Sequence, residues 1–377
     1  MAKMITRILA IAVCLTMLLV PVQAAQISDI DEQVSRTSAG LSALGGKAGT
    51  MLTNQEEFPA GTSVCDWCAM ALALSGSAED FDSYLQPLQS YVENCYEEDG
   101  GLDKVKSTPY HRIALTVLAL GGDPENFGTK PDGTAIDLIA DGTYAFGGSS
   151  VGSQGLNGWI YALLALDASG VEVPTDAKFG REDMVNAILS AQEDDGGFGL
   201  VSGKSDVDIT AMALQALAPY RQEYPQQIEA ALDYLAGAMS DECLYSAYGA
   251  ESVESSAQVI LALCALEIDP AEDGRFCRGG ETLLTGITRF QQADGTFGHL
   301  QDDTEGNFLA TAQTLLALTA VQKLRGGEGW IFDFTGYTGP NQKVQQEIPY
   351  AAIGIGAVLI ICIVIAGKRK KNGKSNG

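Results

Sequence analysis

Six apolar, alanine-rich and leucine-rich runs recur along this chain, and a recurrence on that scale constrains the fold more than any single motif does. They read DWCAMALALSG from Asp66, YHRIALTVLALGG from Tyr110, NGWIYALLALDASG from Asn157, DITAMALQALAPY from Asp208, SSAQVILALCAL from Ser255 and LATAQTLLALTAV from Leu309, each starting 44 to 54 residues after the one before. Each run is apolar around nearly its whole circumference, the composition of a helix buried on every side. Between them lie stretches with charged faces, IDEQVSRTSAGLSAL, FDSYLQPLQSYVENCY, DGTAIDLIADG, REDMVNAILSAQ, PQQIEAALDYLAGAM and GGETLLTGITRFQQ, which read as amphipathic outer helices. Gly-rich turns such as EEDGGL, EDDGGFGL and ADGTFGHL join outer to inner, with Gly supplying positive φ and the aromatic filling the joint. Six hairpins around a buried inner ring predict an all-α fold, an α6/α6 toroid over residues 25–325; an open solenoid of the same hairpins is the alternative that the pattern alone leaves standing.

The two ends read differently. Lys3 and Arg7 precede an apolar stretch from Ile8 to Val20 and the small residues Val22 and Ala24, the form of a secretory signal peptide over 1–24. An uncharged run at 348–367 is followed by Lys368, Arg369, Lys370 and Lys371. At about 1.5 Å per residue such a run spans roughly 30 Å, the thickness of a bilayer core, and a basic cluster beyond it stays on the cytoplasmic side. The expectation is a single-pass type I cell-membrane protein with the toroid on the extracytoplasmic side, a stalk at 326–347, a transmembrane helix at 348–367 and a basic tail at 368–377.

The chain carries 48 Asp and Glu against 23 Lys and Arg, a formal net charge of -25. Such a surface repels nucleic acid and favours cations or neutral apolar ligands. Six of the eight cysteines lie between the two hydrophobic ends, an even number that permits disulfides, but their irregular spacing identifies no pairing.

Two turns, QEDDGGF (Gln192 to Phe198) and QQADGTF (Gln291 to Phe297), read Q-x3-G-x-F. That pattern resembles the QW motif of squalene and hopene cyclases, with Phe in place of Trp, and the likeness covers most of residues 30 to 322. It extends to the wider prenyltransferase and squalene-oxidase repeat superfamily: protein prenyltransferase β subunits, terpene cyclases and, more distantly, the helical domain of cobalamin carriers. The ends would make this chain a bacterial, surface-anchored version. The resemblance implies the toroid, whereas function must be argued site by site.

Three sites stand out. Class II cyclases carry D-x-D-D-T-A; this chain has Asp206, Val207, Asp208, Ile209, Thr210 and Ala211, so Asp208 matches the family's proton-donating aspartate while Ile209 replaces the next acid. Asp206 and Asp208 are thus candidate catalytic acids of a terpene cyclase or mutase, or one of them caps the following helix. Asp66, Cys68 and His111 resemble the D-x-C and Y-H pattern that holds zinc in protein prenyltransferase β subunits, and an O, S and N set with an open position suits a catalytic zinc. The competing reading of Cys65 and Cys68 is a disulfide or two small core residues. Finally Gln154, Asn157, Tyr161, Thr210, Glu254, Gln258 and Gln313 stand at or near inner-helix starts, where polar side chains and positive helix ends would ring an apolar cavity. The ligand expected there is a small apolar or isoprenoid-like molecule, with cobalamin, captured with a partner, as a further reading. His299 lies in an acidic loop that reads either as a cation site or as a solvated turn.

Overall fold

A computed structural model of the chain describes residues 30–340 apart from Tyr248. Among the described residues there are twelve α-helices: α1 (30–44), α2 (Ser63–Leu74), α3 (Asp82–Asp99), α4 (Thr108–Ala119), α5 (Leu138–Gly142), α6 (Leu156–Ser169), α7 (Arg181–Leu189), α8 (Val207–Leu217), α9 (Pro225–Ala238), α10 (Val253–Ala265), α11 (Leu283–Ile287) and α12 (Phe308–Gly326). The even-numbered helices α2, α4, α6, α8, α10 and α12 are the six apolar stretches, each buried around most of its surface. The odd-numbered helices bury one stripe. In α3 the buried residues are Tyr84, Leu88, Val92 and Tyr96, one per turn.

α2 packs on α4, α4 on α6, α6 on α8, α8 on α10, α10 on α12, and α12 returns to α2. An open solenoid would leave those last two apart. Side chains at matching depth meet: Trp67 of α2 lies edge to face with Tyr161 of α6, whose hydroxyl donates to Met212 Sδ of α8, and Gln258 of α10 donates to Gln313 of α12. These six helices therefore run in one sense, and their N-terminal ends share one end of the molecule. Around them α5 packs on α4, α7 on α6, α9 on α8 and α11 on α10. α3 joins α2 through the Tyr84 hydroxyl on Asp66, while α1 bonds to α12 through Asp31 with Gln322 and to the C-cap of α2 through Ser38 with Ser75.

The joints between outer and inner helices use one device three times. A buried hydroxyl in the first turn of the inner helix receives the backbone N–H of an aromatic residue in the preceding turn: Phe198 onto Thr210 Oγ1 (2.8 Å), Tyr245 onto Ser256 Oγ (3.2 Å) and Phe297 onto Thr311 Oγ1 (2.9 Å). The glutamine of each Q-x3-G-x-F turn reaches sideways to the next outer helix, Gln192 to the Gln227 carbonyl on α9 and Gln291 to Gln33 on α1. The second of these links the last turn to the first helix of the circuit. Gly196 (φ +87°) and Gly295 (φ +91°) occupy the left-handed region there, and a Cβ on Gly196 would collide with the Ala230 carbonyl of α9.

Three expectations about the ends change. The compact unit continues past 325 to Pro340: Ile331, Phe332 and Phe334 are buried, and the Tyr337 hydroxyl donates to the Ala119 carbonyl at the end of α4. The part of the expected stalk that is described is thus packed chain, laid over the C-terminal ends of the inner helices because its four aromatics have apolar surface to cover. The expectation of a single-pass membrane protein is corrected as well, since no helix among the described residues is long and apolar enough to cross a membrane. The stretches on which it rested, 1–24 and 348–367, lie outside the described residues, as does the tail at 368–377.

Candidate functional site

At the shared N-terminal end, Asn157, Asp208 and Glu254 each occupy the second position of their helix, in α6, α8 and α10. One turn further in come Tyr161, Met212 and Gln258, with Gln313 in the matching place on α12. The recurrence follows from helix geometry, because residues four apart lie on the same face and each inner helix turns the same face to the middle. Two cavities open here. One, of about 220 Å³, is lined by Ser63, Trp67, Thr108, Arg112, Gln154, Asn157 and Tyr161. The other, of about 300 Å³, is lined by Asn157, Leu200, Val201, Lys204, Asp206, Asp208, Ile209 and Met212. Asn157 forms the wall between them.

The acidic pair divides its labour. Asp206 is the N-cap of α8 and accepts the Ile209 N–H at 3.1 Å. Asp208, one residue inside the helix, has Oδ1 buried without a hydrogen-bond partner, and Asn157 Oδ1 is in the same condition. Burial pushes the Asp208 carboxyl up to about 6, the Ser255 hydroxyl pulls it back, and the charges of Asp206 and Glu254 raise it further. Two orphaned acceptors on residues that line one cavity are an unmet demand for donors, which elsewhere in folded chains is met by protein or water.

Larger spaces lie elsewhere but hold less chemistry. A cleft of about 490 Å³ contains Lys130, Asp141 and Tyr96, which satisfy one another: Lys130 Nζ and the Tyr96 hydroxyl both bond to Asp141 Oδ2, at 2.8 and 2.6 Å. A space of about 660 Å³ at the opposite end runs between Gln215, Arg221 and the packed segment carrying Trp330 and Phe332.

Several expected site residues are relocated. Thr210 leaves the ligand-binding set: it is fully buried, and its hydroxyl is used by the Phe198 N–H, the Phe198 carbonyl and the Asp206 carbonyl. Gln154 accepts the Thr108 hydroxyl at 2.6 Å and remains on a cavity wall. Glu254 stays on the rim, with its carboxylate 2.8 Å from His299 Nδ1. Gln258 and Gln313 belong to a ladder in which Gln215 donates to Gln258 (2.9 Å) and Gln258 to Gln313 (3.3 Å), a polar seam across α8, α10 and α12.

The zinc set is not brought together. Both Asp66 oxygens are committed, Oδ1 to the Tyr84 hydroxyl and Gly61 N–H, Oδ2 to Arg112 Nε at 2.9 Å. Cys68 Sγ points at the Phe308 carbonyl, and burial holds its thiol well above the usual range. His111 Nε2 bonds to the Gly142 carbonyl, and burial pushes its imidazole down to about 4. Among the described residues no group of three His, Cys, Asp or Glu side chains could hold a metal ion, which also removes the cation reading of the His299 loop. The six described cysteines are free thiols.

Sequence reading picked Asp66 and His111 and passed over their neighbours Trp67 and Arg112, which are the residues that line the cavity. A step of one residue turns a side chain about 100° around a helix, so the positions next to a buried pair face elsewhere. The usable signal was the repeated depth of positions 157 and 161, 208 and 212, and 254 and 258.

The chain has a mostly helical fold like that of a protein prenyltransferase. A solved structure with this architecture, the Candida albicans protein geranylgeranyltransferase-I complexed with GGPP, matches with a TM-score of 0.50 at 11% identity, over 77% of this chain and 91% of that one. At that identity the likeness speaks to the fold. No protein-family model matches the chain, and no curated protein matches it.

Proposed function

We propose that this chain is an α6/α6 toroid that binds a small molecule with an apolar body and a polar head at the N-terminal mouth of its inner ring. The observation that carries this reading is the pair of cavities meeting at Asn157, with two buried unpartnered oxygens, Asn157 Oδ1 and Asp208 Oδ1, on residues that line them. Trp67, Tyr161, Met212 and Leu200 supply apolar surface, and Asn157 and Asp208 supply the orienting contacts. An isoprenoid chain suits the apolar part. A cobalamin is larger than either cavity and would have to lie across the open rim.

The test is native mass spectrometry of the chain before and after incubation with a fragment set, for the parent and for Asn157→Trp, whose indole would intrude on the space that the two cavities share at position 157. Adducts retained by the parent and lost in Asn157→Trp are expected. Equal retention in both would remove the mouth as the binding site.

A second reading, catalysis by Asp208, draws on its raised pKa, which keeps a share of the carboxyl protonated near neutral pH. An acid of about 6 suits proton transfer to oxygen or nitrogen better than to an unactivated alkene, which needs a far stronger acid, and Ile209 stands where cyclases keep a second carboxylate. Turnover of a linear isoprenoid by the parent and its loss in Asp208→Asn would favour cyclase chemistry; an unchanged substrate would leave binding alone.

A further inference from the structure

We propose that the ligand of the mouth, on the binding reading above, carries a protonated amine that lodges between Asn157 and Asp208. The two orphaned oxygens are both acceptors, so whatever satisfies them must bring N–H or O–H donors. Hydroxyl and ammonium both qualify, and the charge around the cavity separates them. Asp206 lines the same wall, and Glu254 of α10 acts on Asp208 through its charge, while α10 otherwise presents the neutral Ser255 hydroxyl. α6 presents Tyr161, whose phenol is pushed up by burial and by the charge of Asp208 and so stays neutral. The cationic side chain on this wall is Lys204, exposed on the two-stranded hairpin of β1 (Phe198–Val201) and β2 (Lys204–Asp206), with its backbone paired to Val201.

An anionic head fits poorly. Arg112, in the adjoining cavity, is already committed to Asp66 and to the Gly61 carbonyl, so a diphosphate would meet the carboxylates of Asp206 and Asp208, with Lys204 the cationic side chain on that wall. An ammonium adds a charge-assisted hydrogen bond to Asp208 and a second to Asn157. The apolar body of such a ligand would lie against Met212 and Ile209 below and against Leu200 and Val201 above, which are 46% and 66% exposed and stand at the lip of the same cavity.

The experiment compares 2-phenylethylamine with 2-phenylethanol, equal in shape and different in charge, by isothermal titration calorimetry on the full chain. The amine should bind roughly tenfold or more tightly than the alcohol, the ratio expected from one charge-assisted hydrogen bond. Asp208→Asn should abolish that advantage. Because Asp208 ionises near pH 6, amine affinity should fall between pH 7.5 and pH 5, a range over which the ammonium stays charged and the alcohol is indifferent. Lys204→Met should tighten the amine by removing a competing cation. Equal binding of amine and alcohol, or an amine advantage that survives Asp208→Asn, would overturn the inference while leaving the cavity reading intact. Binding of neither probe, with other fragments still retained, would overturn the inference alone; no retained fragment at all would bring down both.

Discussion

Asp206 and Asp208 differ by one residue and sit in opposite conditions. Asp206 has its carboxylate at a helix end where a backbone N–H meets it; Asp208 faces inward with one oxygen unsatisfied. A carboxyl pushed up from 3.8 to about 6 binds a proton in the folded state that the unfolded chain has already released, so stability falls as pH rises from about 4 to about 6 and stays lower above that. Asp208→Asn is therefore expected to raise stability at pH 7, by about 1 to 3 kcal/mol, and to leave it nearly unchanged at pH 4. Urea unfolding at the two pH values checks it, and equal effects at both would refute the assignment. Asp66 is a contrasting buried acid. Burial pushes its carboxyl up, while Arg112, Tyr84 and the Gly61 N–H pull it back down. Removing the cation in Arg112→Met leaves a buried carboxyl unpaired, and an expected loss of about 3 to 5 kcal/mol should appear as a lower denaturation midpoint.

At the scale of elements, the hydroxyl that opens an inner helix decides how the preceding turn docks. Thr210 and Thr311 perform the same task one hundred and one residues apart, each holding the Phe of a Q-x3-G-x-F turn, and each is fully buried. Thr210→Val or Thr311→Val keeps the shape and strands a backbone N–H, at an expected cost of about 1 to 3 kcal/mol each. The two sites lie in different joints, so the double variant should lose close to the sum. Chemical denaturation of the three variants tests both points. The apolar runs, the outer stripes and the Gly-rich turns were legible because burial imposes its periodicity on the sequence. The partner of each hydroxyl was not, because Thr210 beside an acidic pair reads equally well as a site residue.

For the whole molecule, the circuit of inner helices leaves two ends with different fates. One is covered by the chain's own segment 327–340 and the other carries the candidate site. Phe332→Ala in the cover should cost about 3 to 5 kcal/mol, the usual loss for a buried Phe, and should leave fragment binding at the mouth unaltered. Thermal unfolding with native mass spectrometry of the same variant would show the two effects separately; loss of binding would mean that the ends are coupled.

The sequence by itself determined that this chain is a set of six helical hairpins with a buried inner member, because an apolar circumference and an amphipathic neighbour leave few other ways to hide that surface. It also marked the Gly and aromatic residues of the joints, though not the hydroxyls that receive them. Only the tertiary structure decided that α12 returns to α2, that Arg112 rather than a metal answers Asp66, and that Asn157 and Asp208 share a cavity. Those outcomes depend on which faces of distant helices meet. Periodicity along one helix records which residues are buried, and carries no record of the helix they are buried against.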